Sequence, residues 1–115
     1  MSLPSSYFTK ELGKVNRDLT KLTSMRKKLQ AIVKSDAAIG KQLDTLATNT
    51  KAALTVGCGS ALPASLRSQN SDAARSNAAL LMTVEAAIVQ LKTMRLGLQA
   101  DKSVAEAAER ALKGF

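Results

Sequence analysis

The glycine-rich segment Val56-Gly57-Cys58-Gly59-Ser60 separates two long stretches in which apolar residues recur at alternating steps of three and four. This spacing collects apolar side chains on one side of an α-helix, and glycine interrupts helices because its backbone is unusually free. Pro63 follows and lacks the backbone donor that a continuing helix needs. The pattern predicts an all-α, antiparallel helical hairpin resembling a coiled coil, with its turn over about 56–65.

The first stretch predicts a helix over about 5–55, beginning just after Pro4. Its apolar positions are Phe8, Leu12, Val15, Leu19, Leu22, Met25, Leu29, Ile32, Ile39, Leu43, Leu46 and Ala53. Two successive steps of three, ending at Met25, interrupt the heptad spacing, while Val33 continues the earlier register beside the new one. The apolar side is therefore wider than a two-stranded coiled coil needs.

The second stretch predicts a helix over about 66–100. Its apolar positions are Leu80, Val84, Ala87, Leu91, Met94, Leu98, Ala105, Ala108 and Leu112, and Leu81 and Ile88 widen the apolar side. Asp101 violates the spacing, and Ser103 with Glu106 has the spacing of a capping box. We therefore expect a short separate helix over about 103–113.

Two positions leave the continuity of the helices open. Ser35 is a weak cap signal followed by Gly40; we expect the helix to continue there, with a kink or break as the alternative. Breaks near Ser35 and Asp101 would allow a folded-back monomer with three or four helices. A hairpin turning near Ser60 would instead place these residue pairs opposite each other: Ile39 and Leu81, Ile32 and Ile88, Leu22 and Leu98, and Leu12 and Ala108.

Composition limits the chemistry of this chain. Its 115 residues correspond to a single helical domain spanning 1–115, with no histidine and one cysteine, Cys58. The usual Cys/His zinc sites and a Ser-His-Asp triad are therefore excluded within one chain. We predict no catalytic residue, no metal site, no cofactor and no enzymatic activity. Cys58 is expected to be an exposed thiol at the turn.

Two helices cover only one seam between them, so wide apolar sides favour association with further helices. The sequence predicts a homodimer forming a four-helix bundle, or docking on a helical protein partner. The residues expected at this interface are Met25, Leu29, Ile32, Ile39, Leu43, Leu46, Leu81, Val84, Ile88 and Leu91. The leading hypothesis is a helical scaffold, adaptor or chaperone-like assembly protein.

Basic residues suggest an alternative function. The chain carries 17 Lys and Arg against 9 Asp and Glu, a net charge of +8, and ten of these cations precede residue 56. A stripe on the first helix comprises Lys10, Lys14, Arg17, Lys21, Arg26, Lys27 and Lys28. Such a stripe can neutralise phosphates without reading sequence, so a nucleic-acid-binding protein is the second hypothesis.

The hairpin also predicts that Tyr7, Phe8 and Phe115 meet where the two termini lie together. These aromatic residues would form a hydrophobic clasp or, alternatively, an anchor for a partner. No signal peptide or membrane-spanning segment is evident in the sequence, and a cytoplasmic location is the default expectation.

Overall fold

The computed structural model describes residues 3–55 and 64–114 and contains two long helices. Helix α1 runs over Ser5–Thr55 and helix α2 over Ala64–Lys113. They pack against each other, and no strand occurs in the described part of the chain, which confirms the predicted all-α helical hairpin. Residues 56–63, including Cys58, and the terminal Phe115 lie outside the described residues.

Both helices are continuous where the sequence suggested interruptions. Helix α1 passes through Ser35, and α2 passes through Asp101 and Ser103, so the separate helix expected over 103–113 is wrong. The side chain of Glu106 lies 4.0 Å from Lys102, one turn earlier, instead of capping a new helix at Ser103. Asp101 is exposed, so it imposes no cost on the core that would require a break.

Two compact units divide the hairpin, and each contains parts of both helices. Unit 1 comprises Met1–Arg26 and Val84–Phe115, and unit 2 comprises Lys27–Thr83. Hydrogen bonds between α1 and α2 show an antiparallel arrangement within each unit. They join Ser5 to Glu109 and Asn16 to Arg95 in unit 1, and Asp36 to Asn77 and Asp44 to Arg67 in unit 2.

The register of this pairing differs from the sequence prediction. A turn centred at Ser60 would place Val84 opposite Asp36, but Asp36 is bonded to Asn77, seven residues earlier in α2. It would likewise place Val104 opposite Asn16, whose amide oxygen instead contacts Arg95, nine residues earlier. The four predicted apolar pairs are therefore out of register. Hydrogen bonds between polar residues of the two helices accompany the observed alignment, and the apolar pattern alone does not indicate them.

The buried and half-buried positions facing the other helix, called the seam here, keep the alternation of four and three without interruption. On α1 the seam comprises Phe8, Leu12, Val15, Leu19, Leu22, Arg26, Leu29, Val33, Asp36, Gly40 and Leu43. On α2 it comprises Asn70, Ala74, Asn77, Leu81, Val84, Ile88, Leu91, Arg95, Leu98, Lys102, Ala105 and Glu109. This is the heptad spacing of a coiled coil.

Several seam positions are not apolar. Arg26, Arg95 and Lys102 are only half-buried, because long cationic side chains can cover apolar neighbours while their charged ends reach solvent. Within residues 3–55 and 64–114, the residues described as buried are all aliphatic: Val15, Leu19, Leu29, Leu43, Val84, Ile88 and Ala105. The α1 seam thus follows the earlier of the two registers in the sequence. The second register lies outside it.

Candidate interaction surfaces

Unit 2 exposes a row of apolar side chains beside the seam. Ile32, Ile39 and Leu46 recur every seven residues on α1, and Leu66, Ala73 and Leu80 do the same on α2. The five large members of this set, called the side face here, are 42–49% exposed. Large aliphatic groups left half in water at regular spacing are unusual on a surface that contacts solvent alone.

The two rows of the side face lie on the same side of the hairpin. Each α1 member follows a seam residue by three positions, as Ile39 follows Asp36, and Leu80 follows Asn77 in the same way. In antiparallel helices, equivalent positions of this kind flank the seam together. The opposite flank supports this geometry, because Ala37 and Ser71, each directly after a seam residue, line one cavity.

The side face carries no charge over most of its length. The positions one turn before its members include Lys28, Ser35, Gln42, Gln69 and Ser76, and of these five only Lys28, at the Ile32 end, is charged. Elsewhere in unit 2, Lys41 borders a cavity with Leu46. Asp44 pairs with Arg67 on the opposite flank at 2.5 Å, and Arg75 pairs with Asp72 at 3.1 Å. The centre of the side face, around Ile39 and Leu80, is therefore apolar and neutral in a strongly basic chain.

The residues predicted for an association interface divide between seam and surface. Leu29, Leu43, Val84 and Ile88 are buried, and Leu81 and Leu91 are half-buried seam residues, so these six pack within the chain. Met25, Ile32, Ile39 and Leu46 are exposed. Leu66 and Leu80 were not among the residues predicted for this interface, although their spacing of fourteen residues is visible in the sequence.

A polar cluster interrupts the aliphatic seam of unit 2. The Asn77 amide donates a hydrogen bond of 2.8 Å to the Asp36 carboxylate, and the Asn70 amide donates one of 3.4 Å to the Asp36 carbonyl. Gly40 lies beside Asn70, and a Cβ added at Gly40 would lie 3.1 Å from the Asn70 amide oxygen. An open cavity of about 490 Å³ adjoins Asp36, Gly40 and Asn70.

The N-terminus of α1 is capped by the other helix of unit 1. Ser5 donates through its backbone N–H and its hydroxyl to the two oxygens of the Glu109 carboxylate, at 2.9 and 2.8 Å. These bonds lower the pKa of Glu109, the backbone bond most of all, with a smaller contribution from the Lys113 charge. The first turn of α1 has no acidic residue, so Glu109 supplies the negative charge that a helix N-terminus favours.

Four predicted cations form a continuous ribbon on the outer side of α1 in unit 1. Lys10, Lys14, Arg17 and Lys21 are exposed and recur at steps of four, three and four, away from the seam. Lys14 pairs with Glu11 at 3.0 Å, whereas the other three make no ion pair within residues 3–55 and 64–114. We call these four residues the basic ribbon.

The remaining predicted cations are placed differently. Arg26 is a half-buried seam residue and does not belong to the outer surface. Lys27 and Lys28 are exposed on α1 in unit 2. The compact basic run in the sequence is therefore divided between the seam and the outer surface of α1.

The two described aromatic residues contact each other. The rings of Tyr7 and Phe8 lie 5.3 Å apart with an edge-to-face angle of 81°. Phe8 is half-buried and, with Leu3 and Val104, borders a cavity of about 190 Å³. The predicted contribution of Phe115 falls outside the described residues, as does the thiol of Cys58.

Neither a metal-binding group nor a membrane-spanning helix is found in the described ranges. No three His, Cys, Asp or Glu side chains there could hold a metal ion together. No helix of the described chain is long and apolar enough to cross a membrane. Comparisons with protein-family models, with curated proteins and with solved structures found no match.

Proposed function

We propose that this protein is a non-enzymatic helical interaction protein, acting as a scaffold, adaptor or assembly component, and that it dimerises through the side face. The observation that supports this is the neutral apolar row formed by Ile32, Ile39, Leu66 and Leu80, with Leu46. A second copy of the chain would bury these side chains in a four-helix bundle. The seam would remain within each copy.

The distribution of charge permits a second copy at this surface. Each chain carries a net charge of +8, so most ways of joining two copies bring cations together. The side face allows two chains to approach without placing Lys or Arg at the centre of the contact. A two-fold axis would pair the same neutral patch with itself.

The free energy gained by burying the side face is comparable to the cost of associating two chains. Covering the exposed half of Ile32, Ile39, Leu66 and Leu80 on both copies contributes roughly 6–12 kcal/mol, at about 1.5–3 kcal/mol for each fully buried side chain. Association of two chains costs an estimated 4–15 kcal/mol. The balance is consistent with a dimer whose population depends on protein concentration.

Light scattering coupled to size-exclusion chromatography tests this proposal on the full chain. The parent is expected to show the mass of two chains at high concentration, and Ile39→Glu is expected to be monomeric. Ala38→Glu adds the same charge at the adjacent exposed position and is expected to remain dimeric. A parent that is monomeric at its highest soluble concentration, or two variants with the same mass distribution, would refute the dimer.

A further inference from the structure

We propose that the basic ribbon, Lys10, Lys14, Arg17 and Lys21, binds the phosphate backbone of duplex nucleic acid without reading its sequence. The four cations lie on one side of a continuous helix and span about 16 Å at 1.5 Å per residue. A duplex strand presents a phosphate about every 3.4 Å along its axis, so the ribbon matches a run of several phosphates. This inference does not require the dimer.

The ribbon's cations are available for an external anion. Lys10, Arg17 and Lys21 have no ion pair in the described part of unit 1, and only Lys14 is engaged, by Glu11. Asp18 borders the ribbon without forming an ion pair with it in the same residue range. A phosphate therefore displaces at most one existing ion pair.

The side chains between the cations favour a phosphate backbone over a membrane surface. Gly13, Thr20 and Ser24 occupy the outer side of α1 beside the ribbon, and a Cβ added at Gly13 would meet nothing within 4 Å. These small residues allow close approach, but they provide no large apolar group to enter a lipid layer. Exposed Tyr7 lies one turn before Lys10 at one end of the ribbon, but no aromatic residue lies between successive cations to stack on successive unpaired bases, which favours a duplex over a single strand.

Fluorescence anisotropy with a labelled random-sequence DNA duplex, measured across a salt series, tests the inference. The triple variant Lys10→Gln, Arg17→Gln, Lys21→Gln removes three cations of the ribbon. We expect its affinity to fall by about tenfold or more at low salt. The slope of log affinity against log salt concentration should fall by roughly one for each cation removed.

The matched control is Lys92→Gln, Arg110→Gln, Lys113→Gln, which removes the same charge from exposed positions of α2 in the same unit. It is expected to bind within about twofold of the parent, and circular dichroism confirms that both variants remain helical. Equal losses in the two triple variants would show a net-charge effect and overturn the proposal. So would a parent that binds vesicles of phosphatidylserine and phosphatidylcholine but not the duplex.

Light scattering on the same samples separates this inference from the proposed dimer. Duplex binding by monomeric Ile39→Glu would support the ribbon even if the side face did not mediate association. Loss of binding in the ribbon variant alone, with its mass unchanged, would also assign the effect to the ribbon.

Discussion

The Glu109 carboxylate of α2 accepts hydrogen bonds from both the backbone N–H and the hydroxyl of Ser5, the first residue of α1. The bonds hold the pKa of Glu109 below its usual value of 4.5, although partial desolvation opposes this shift. The folded carboxyl thus binds its proton less tightly than the unfolded one. Its stabilising contribution is complete above pH 4.5 and is lost as pH falls through the lowered pKa.

Glu109→Gln should therefore reduce the dependence of stability on acid pH. We expect the melting temperature of the parent to fall more than that of the variant when pH is lowered from neutral to below 4.5. Thermal unfolding followed by circular dichroism at fixed protein concentration measures the difference. Glu85→Gln is the control, because Glu85 is exposed and forms no ion pair in the described ranges. Equal acid sensitivity of Glu109→Gln and the parent would contradict the capping role.

Asp36 and Asn77 should behave as a coupled pair. Asn77→Leu removes a donor from a half-buried carboxylate, and we expect a loss of about 1 kcal/mol in the free energy of unfolding. Replacing Asp36 by Leu as well leaves no unpaired polar group, so the double variant should be at least as stable as the parent. Urea denaturation of both single variants and the double variant measures the coupling. If the double variant loses as much free energy of unfolding as the two single variants together, Asp36 and Asn77 contribute to stability independently and are not coupled.

Ile88 and Val89 are adjacent residues that should differ sharply in their response to truncation. Ile88 is 3% exposed in the seam, whereas Val89 is 63% exposed on the outer side of α2. Ile88→Ala should destabilise the chain by about 2–5 kcal/mol, while Val89→Ala should change stability by less than about 0.5 kcal/mol. Chemical denaturation provides the measurement. Comparable losses at the two positions would mean that Val89 is also covered, as by a partner chain.

Gly97 offers a stabilising substitution within α2. A Cβ added there would meet nothing within 4 Å, and alanine favours a helix over glycine by up to about 1 kcal/mol. Gly97→Ala should therefore raise the free energy of unfolding by up to that amount. Gly40→Ala is the comparison, because its Cβ would lie 3.1 Å from the Asn70 amide oxygen, and it should gain less. The expectation fails if Gly97→Ala lowers the urea midpoint.

The hairpin was predictable because its strongest signals are local. Spacings of three and four residues, the glycine-rich segment and Pro4 depend only on neighbouring positions in the sequence. The exact face of each helix was less evident, since apolar residues occupy two registers after Leu22. The predicted register took Met25 as the next position after Leu22, and Met25 is exposed beside the seam. The seam instead continues through Arg26, which preserves the heptad spacing.

The cross-helix register and the cap were beyond local pattern analysis. Asp36, Asn70 and Asn77 are polar residues in the seam, and their mutual hydrogen bonds are formed only when the helices are aligned. Ser5 and Glu109 are separated by 104 positions, so no spacing rule connects them. Asp101 illustrates the reverse error: it violated the half of the apolar pattern that, with Leu80 and Met94, lies outside the seam.

Sequence separation within the two units has a consequence for the order of folding. The Asp44–Arg67 bond in unit 2 closes a chain segment of 23 residues, whereas the Ser5–Glu109 bond in unit 1 closes one of 104. Loop-closure entropy makes the longer closure more costly by about 1 kcal/mol. Folding should therefore nucleate in unit 2 and reach Ser5 last. Truncating Leu43 should then slow refolding, whereas disrupting the Glu109 cap should mainly accelerate unfolding.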